Sequence, residues 1–165
     1  MEKFSNAFSR IVAKFEKVPG PIRRWARSKA LGSYVKFAGT AGVDFETIST
    51  EQVVCHIKNV TKNQNHIKGV HAAAMALLAE TATGFAVGMN LPDDKLPLLK
   101  SMKVEYKKRA QGDLKAIAAL TTEQIQHVRT LEKGDVTVPV TVTDESGNEP
   151  IQCEMVWAWI PKKRG

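Results

Sequence analysis

Residues 70–89 read Val-His-Ala-Ala-Ala-Met-Ala-Leu-Leu-Ala-Glu-Thr-Ala-Thr-Gly-Phe-Ala-Val-Gly-Met, the single long apolar stretch of the chain. From Gly69 to Pro92 the only formal charge is Glu80. The stretch is rich in Ala, Gly and Thr, and a carboxylate at the centre of a bilayer would cost about 3 kcal/mol. We therefore expect a helix buried inside a soluble fold, and a functional reason for Glu80.

Short β segments flank this helix on both sides. Upstream, residues 43–49 and 52–59 alternate as a hairpin, and a polar loop follows over residues 60–69. Downstream there are four strand candidates with turn residues between them: 100–110, 112–122, 125–131 running through a turn to 136–143, and 150–160. Strands around one helix of small residues predict an α+β fold, in which an antiparallel sheet wraps one long central helix.

The net charge of +7 is confined to the first 36 of the 165 residues. These carry nine basic and two acidic side chains, whereas residues 37–165 carry fifteen of each. An apolar stripe recurs at helical spacing in this segment: Phe4, Phe8, Ile11 and Phe15. A second short helix is expected over residues 22–34, after a Pro-Gly-Pro break. We therefore divide the chain into a basic N-terminal helical extension, residues 1–37, and one main domain, residues 38–165.

Three kinds of partner suit this extension. Its phenylalanine stripe needs burial, which packing against the main domain or a second subunit supplies most simply. Contact with an anionic membrane surface comes second. Nucleic acid comes last, because the extension has neither the aromatic-basic interleaving of RNA-binding proteins nor a helix-turn-helix pattern, and the main domain is neutral.

The cysteines and histidines indicate no metal or redox chemistry. Cys55 and Cys153 are the only cysteines, and each lies in an apolar, strand-like run. His66 and His71 stand five residues apart without a nearby Cys or Asp, which does not suit a metal site. We expect no metal and no cofactor. Since no uninterrupted apolar segment follows the start, we expect no secretory signal and a cytoplasmic location.

The junction between the polar loop and the helix reads Asn-His-Ile-Lys-Gly-Val-His-Ala-Ala over residues 65–73, and Glu80 follows nine positions after His71. Over residues 38–161 the sequence resembles the hotdog-fold acyl-CoA thioesterases. Their pattern is a polar Asn or Gln in the loop, a Gly-x-His-Gly-Gly-like turn into the central helix, and an acid nine positions after the histidine. The chain is most similar to a small thioesterase-like (DUF4442-type) group with an Asn-His-Ile-x-x-x-His-Ala opening.

This resemblance implies a hotdog fold and hydrolysis of an acyl-CoA-type thioester, with coenzyme A only as part of the substrate. It also implies a site built across a dimer interface. The sequence departs from the family pattern at two places. His71-Ala72-Ala73 replaces His-Gly-Gly and adds methyl groups where the thioester approaches. Gly84 stands where one class of the family has a threonine, and Thr81 and Thr83 nearby are candidates for substrate contact.

The chemistry of the residues suits the same roles. A helix N-terminus presents unpaired N–H groups, so the Ala72 N–H can polarise a thioester carbonyl, with Asn65 as a second donor. Gly69 allows a tight turn into the helix, and His71 either takes part in the site or caps the helix. Glu80 in an apolar helix is expected to have a raised pKa, which suits a general base or a nucleophile that forms an acyl-enzyme anhydride.

The spacing of His71 and Glu80 predicts an oligomer. Nine residues of helix cover two and a half turns, which places the two side chains on opposite faces and about 13.5 Å apart. They cannot share one site within a single protomer. If two protomers pair, Glu80 of one chain can meet the Asn65 and Ala72 end of the other. We therefore expect a homodimer, with a dimer of dimers as a further option.

Four basic residues and one tyrosine are the remaining candidates for substrate contact. Lys107, Lys108 and Arg109 either face water as a solvated strand end or, with Lys68, contact the phosphates of coenzyme A. Tyr106 either lines an acyl pocket or packs in the sheet.

Two functions from other classes stay open beside the thioesterase. One is a non-catalytic acyl-CoA or lipid-binding protein that kept the fold. The other is a hotdog enoyl-CoA hydratase or dehydratase, which also uses a histidine with an acid.

Overall fold

The computed structural model describes residues 4–163, which contain five α-helices and seven strands. The helices are α1 (Ala7–Phe15), α2 (Gly20–Tyr34), α3 (Lys36–Ala41), α4 (Ala72–Gly88) and α5 (Thr122–Thr130). The strands are β1 (Asp44–Ile48), β2 (Gln52–Ile57), β3 (Lys95–Tyr106), β4 (Leu114–Ala119), β5 (Gly134–Val138), β6 (Val140–Asp144) and β7 (Ile151–Pro161). A short 3-10 helix, Thr61–Asn63, lies in the loop before α4.

Helix α4 forms the centre of the fold. Between Met75 and Val87 nearly all of its side chains are buried, as expected for a helix without a polar face. One antiparallel sheet has the order β1-β2-β4-β6 and the other β3-β7-β5, and α4 packs against strands of both. Pro139 alone separates β5 from β6, so the chain passes there from one sheet to the other. The predicted α+β hotdog architecture around one central helix is confirmed, with two sheets doing the wrapping.

One predicted strand is wrong. Residues 125–131 lie in α5 and its C-terminal cap, not in a strand. The helix starts with a capping box, in which the Thr121 hydroxyl accepts from the Gln124 N–H and the Gln124 side chain accepts from the Thr121 N–H. These bonds satisfy backbone donors that a strand would have to pair elsewhere. The strand predicted over residues 136–143 is divided at Pro139 between β5 and β6, which belong to different sheets. The other predicted strands correspond to β1, β2, β3, β4 and β7.

The N-terminal helices pack on the C-terminal end of α4. The Asn6 side-chain amide donates to Gly88 O (2.8 Å) and to Leu91 O (2.7 Å). The Phe8 ring lies 5.2 Å from the Phe85 ring, and Val12 is buried. The extension therefore packs against the main domain, which is the simplest of the burials expected for its phenylalanine stripe. The proposed division between residues 37 and 38 falls inside α3 and stays a prediction.

Within the described residues 4–163, β3 is an edge strand that pairs only with β7. Leu99, Met102 and Tyr106 pair directly with β7 residues that are buried: Trp157, Met155 and Ile151. Cross-strand partners lie on the same face of a sheet, so these three β3 side chains also face the central helix. They are nevertheless exposed. One copy of the chain therefore leaves the inner face of β3 incompletely covered.

No helix within residues 4–163 combines the length and the apolar character that a membrane crossing requires.

Candidate active site

Asn65 shapes the loop that leads into α4. Its Oδ1 accepts hydrogen bonds from the N–H groups of Ile67 (3.0 Å) and Gly69 (3.1 Å), and its own N–H donates to Gly69 O (2.9 Å). These bonds fix the direction of the side-chain amide. Within residues 4–163 the Asn65 Nδ2 group has no acceptor, so it can donate to a ligand.

The unusual backbone conformation of this loop lies at Lys68 and not at Gly69. Lys68 has a φ of 61°, and Asn59 Nδ2 donates to its carbonyl oxygen at 3.2 Å. Gly69 has no positive φ, and a Cβ there would make only an ordinary contact, 3.8 Å from Ala110 O. The expectation that Gly69 supplies the conformational freedom is therefore wrong. The bonds made by Asn65 and Asn59 hold Lys68 in a conformation that costs free energy.

Two backbone N–H groups at the N-terminus of α4 differ in their hydrogen bonding. His71 is the N-cap, and its Nδ1 accepts a hydrogen bond from the Ala73 N–H at 3.0 Å. This is the capping role considered for His71 from the sequence. The Ala72 N–H, at the first helical position, has no acceptor within the described residues. It adds to the partial positive charge of the helix end.

Tyr106 and Arg109 both lie beside this helix end. The Tyr106 hydroxyl donates to Ala72 O at 3.0 Å. Arg109 Nη2 donates to Ile67 O at 2.9 Å, which joins the end of β3 to the loop that carries Lys68. Lys107 and Lys108 point to other groups: Lys107 pairs with Glu105, and Lys108 lies 3.4 Å from the Asn148 side chain.

Glu80 lies in the middle of α4 and is half-buried. The Thr81 hydroxyl lies 3.5 Å from Glu80 Oε2, and no cationic side chain among residues 4–163 forms a salt bridge with this carboxylate. Burial raises the pKa of the Glu80 carboxyl above its ordinary value, and the Thr81 hydroxyl opposes this effect. The raised pKa that the sequence predicts for an acid in an apolar helix is thus present.

Glu80 opens into a cleft of about 580 Å³ between the N-terminal helices and the central helix. Its walls are largely apolar and come from α1, α2, α4, β3 and β7. The larger apolar and aromatic lining side chains are Phe8, Ile11, Leu31, Tyr34, Phe85 and Trp157. A volume of this size holds a ligand of small-molecule dimensions. Asp93 also lines the cleft, but it is paired with Arg10. Glu80 has no such partner within residues 4–163, and an unpaired carboxylate in a largely apolar cleft is a typical arrangement of a catalytic acid or base.

The two threonines near Glu80 have different surroundings. Thr81 is buried and lines the cleft. Thr83 does not line the cleft: its hydroxyl donates to Ala79 O (2.9 Å) and accepts from Trp157 Nε1 (2.9 Å), and no part of the side chain is exposed. A Cβ at Gly84 would lie 2.7 Å from the Trp157 ring. Thr83 and Gly84 therefore position the indole that forms one wall.

The structure brings the candidate residues together in two groups rather than one. Asn65, Gly69, His71 and Ala72 lie at the N-terminus of α4 with Tyr106, Lys68 and Arg109. Glu80 and Thr81 lie in the cleft, and none of the first group lines it. The α4 helix runs unbroken between the groups, so their separation is the one expected from the spacing.

Sequence reasoning missed the part of the site that the N-terminal extension supplies. Phe8, Ile11 and Tyr34 line the cleft, although α1 and α4 are far apart in the chain. The phenylalanine stripe indicated that this helix is buried somewhere, but not against which surface. Within residues 4–163 no cluster of three His, Cys, Asp or Glu side chains offers ligands for a metal ion.

The fold and the acid-bearing central helix together define a hotdog-fold protein. A family model described as "Domain of unknown function (DUF4442)" matches residues 23–160. The chain belongs to this family. A comparison with curated proteins gave no match.

Solved structures share the fold at low sequence identity. PA5026 from Pseudomonas aeruginosa, described as a "probable thioesterase", has a TM-score of 0.73 and 22% identity, over 82% of this chain and 93% of its own. Thioesterase HI1161 from Haemophilus influenzae has a TM-score of 0.66 and 11% identity, over 83% and 92% of the two chains. Thioesterase SAV0944 from Staphylococcus aureus, in a glutamine-to-alanine variant, has a TM-score of 0.64 and 18% identity, over 76% and 99%. These similarities establish the fold.

Proposed function

We propose that this protein is a thioesterase that hydrolyses acyl-CoA-type thioesters at sites formed between two copies of the chain. The observation that carries this proposal is Glu80, a half-buried carboxylate with a raised pKa that opens into a largely apolar cleft. The similar structures from Haemophilus influenzae and Staphylococcus aureus are named thioesterases, which supports the same reaction class.

The donors at the N-terminus of α4 suit the carbonyl oxygen of a thioester. The Ala72 N–H and the Asn65 amide are both free to donate, and the helix dipole adds positive potential at this end. Negative charge develops on the carbonyl oxygen when a nucleophile attacks. Two fixed donors that stabilise this oxyanion lower the barrier in the way of an oxyanion hole.

Glu80 supplies the base in the proposed reaction. Its carboxylate removes a proton from water, whose oxygen attacks the carbonyl carbon and forms a tetrahedral intermediate. The carbon–sulfur bond then breaks, the thiol leaves with the proton that Glu80 had taken, and a carboxylic acid remains. If Glu80 attacks directly, an acyl-enzyme anhydride forms as the carbon–sulfur bond breaks, and the thiolate that leaves takes a proton from the solvent. Water then hydrolyses the anhydride, which releases the carboxylic acid and restores the Glu80 carboxylate.

A second copy of the chain joins the two halves of this site. Glu80 and Ala72 of one helix lie about 12 Å apart along its axis, too far for both to contact one thioester. The free edge of β3 and its exposed inner side chains, Leu99, Met102 and Tyr106, form a surface that a second copy can cover. In such a dimer, Glu80 from one protomer faces the Asn65 and Ala72 donors of its partner.

The remaining candidates fit the two ends of an acyl-CoA. Lys68 and Arg109, beside the helix end, offer positive charge to the phosphates of coenzyme A. Lys107 and Lys108, which already contact Glu105 and Asn148, are secondary candidates for this contact. The cleft beside Glu80 and Thr81 offers apolar walls to the acyl chain.

The proposal is tested by hydrolysis of a panel of acyl-CoA thioesters by the wild type, Glu80→Ala and Ala72→Pro. Loss of the base should lower kcat by about 10²- to 10⁴-fold. Proline is well tolerated at the first helical position, so Ala72→Pro removes the N–H donor without breaking α4 and should cost about 10²- to 10³-fold. The matched control, Ala72→Gly, keeps the donor and should stay within a few-fold of the wild type.

Other outcomes of the same experiment would contradict this function. Equal rates for the wild type and a folded Glu80→Ala protein would remove Glu80 from the chemistry. Tight binding of acyl-CoA without turnover would identify a non-catalytic binding protein. Addition of water to a 2-enoyl-CoA would identify a hydratase.

A further inference from the structure

The outward side of α2 and the start of α3 carry large apolar side chains that no described residue covers. Ile22 is 54% exposed, Trp25 65% and Phe37 65%. Ile22, Trp25 and Lys29 follow one another at helical spacing on one face of α2, and Lys36 and Phe37 open α3 directly after it. Single exposed apolar residues are ordinary, whereas a group that includes two aromatic rings marks a contact surface. We call these five residues the α2–α3 face.

This face is also basic. Trp25, Lys29, Lys36 and Lys58 line one shallow depression between α2 and β2. Within residues 4–163 the ammonium groups of Lys29, Lys36 and Lys58 have neither a hydrogen-bond nor a salt-bridge partner. The three lysines are therefore free to bind an external anion.

The two carboxylates in the same depression are already engaged. Asp44 pairs with Arg24 and accepts from the Ser28 hydroxyl at 2.7 Å. Asp113 accepts from the Asn59 N–H at 2.7 Å. The depression is lined by four cationic side chains, Arg24 and the three lysines, against these two carboxylates, so it presents net positive charge to the solvent.

We propose that the α2–α3 face docks the protein on an anionic phospholipid surface. Exposed aromatic side chains beside lysines match the boundary between headgroups and acyl chains, where the rings enter the interface and the ammonium groups meet lipid phosphates. The charge distribution supports this partner, because the excess of positive charge in the chain lies in its first 36 residues. A second copy fits less well, because a two-fold contact brings the same face of each protomer together and opposes like charges.

The proposal is tested by sedimentation of the full chain with vesicles of phosphatidylcholine, alone or with about 30% phosphatidylserine. The protein should sediment with the anionic vesicles and not with the neutral ones, and added salt should release it. Tryptophan emission should shift to shorter wavelength on binding. The shift reports Trp25, because the other two tryptophans, Trp157 and Trp159, are buried.

Substitutions separate charge from apolar contact. Lys29→Gln with Lys36→Gln should weaken binding to anionic vesicles about 25-fold, at about fivefold for each lysine. Trp25→Ala should remove the emission shift and weaken binding. The matched control, Lys133→Gln with Lys163→Gln, changes two exposed lysines outside this face and should change binding less than fivefold in total.

Three results would overturn the proposal. The first is an equal affinity for neutral and anionic vesicles, or no binding to either. The second is an equal loss of binding in the variant with Lys29→Gln and Lys36→Gln and in the control variant with Lys133→Gln and Lys163→Gln. The third is a lower molar mass of Trp25→Ala than of the wild type in light scattering, which would make this face a contact between subunits.

Discussion

Glu80 has a free energy cost that few residues of this chain share. Its carboxylate is partly removed from water, and its one side-chain hydrogen-bond partner within residues 4–163 is the Thr81 hydroxyl at 3.5 Å. A buried acid of this kind is normally paired with a cation or with several N–H donors. Burial raises the pKa of Glu80, and no cation among residues 4–163 is paired with the carboxylate to offset this effect, so the carboxylate is free to take a proton.

This cost predicts a pH-dependent effect of Glu80→Gln on stability. Because the pKa of Glu80 is raised, the stabilisation from its protonated form is complete below the pKa of glutamate in the unfolded chain and is lost as the pH rises through the folded-state pKa. Glutamine stays neutral throughout. In calorimetry, the Tm advantage of Glu80→Gln over the wild type should grow by a few degrees between about pH 4 and pH 8. A Tm difference that does not change with pH would contradict this assignment.

The site residues differ in how far the sequence alone could locate them. Glu80 stood out as the only charge in a long apolar helix, and its half-buried position agrees with that prediction. The sequence makes Thr83 a candidate for substrate contact, whereas its buried hydroxyl accepts from Trp157, 74 positions away in the chain, a contact that no local pattern indicates. The left-handed conformation at Lys68 was equally hidden, since glycine at the next position was the better candidate for it.

At the scale of secondary structure, β3 predicts how the chain associates. Met102 faces the central helix but remains exposed, on a strand whose outer edge is unpaired. A lysine there would place a charge in the proposed subunit contact. In size-exclusion chromatography with light scattering, Met102→Lys should therefore shift the protein from dimer to monomer at micromolar concentration, by weakening association about tenfold or more.

The control for this substitution lies on the opposite edge of the same sheet. Thr137 is an exposed residue of β5, so Thr137→Lys adds the same charge without touching β3. It should leave the molar mass unchanged. A dimer that survives Met102→Lys but dissociates with Thr137→Lys would place the contact at β5.

Residues 125–131 are predicted as a strand but lie in α5 and its C-terminal cap. The prediction gives the residue types more importance than the helix-capping signal before them. Residues 125–131 carry β-branched and apolar side chains and follow a predicted strand, which favoured another strand. The sequence Thr-Thr-Glu-Gln over residues 121–124 nevertheless has the spacing of a capping box, and the structure forms that box. A signal for the helix was thus present in the sequence. The packing of α1 on α4 had no such local signal, because it depends on contacts between segments about 80 residues apart.

At the scale of the whole molecule, the two groups of site residues predict complementation between protomers. Glu80→Ala lacks the base and Ala72→Pro lacks a donor, so each homodimer should be nearly inactive. The two variants can be co-expressed with different affinity tags and purified as a heterodimer. One of its two sites then combines Glu80 of the Ala72→Pro chain with the Ala72 N–H of the Glu80→Ala chain, and both of these groups are intact. The heterodimer should recover about half of the wild-type kcat.

The double variant provides the matched control. A chain that carries both Glu80→Ala and Ala72→Pro, paired with a wild-type chain, places one lesion in each of the two proposed sites. That heterodimer should remain nearly inactive although it contains the same substitutions. Equal activities of the two heterodimers would show that Glu80 and Ala72 do not act across the subunits.

The cleft beside Glu80 is built from several parts of the chain, among them the central helix and helix α1. The family match covers residues 23–160, whereas Phe8 and Ile11, which line the cleft, lie before it. One wall thus lies within the part of the chain that the family model matches, and the other comes from a segment outside that match, which Asn6 fastens to the end of α4. Changes in that segment can reshape the cleft while Glu80 and its surroundings on α4 stay intact. Mutation and selection can therefore alter ligand preference and reactivity separately in this molecule.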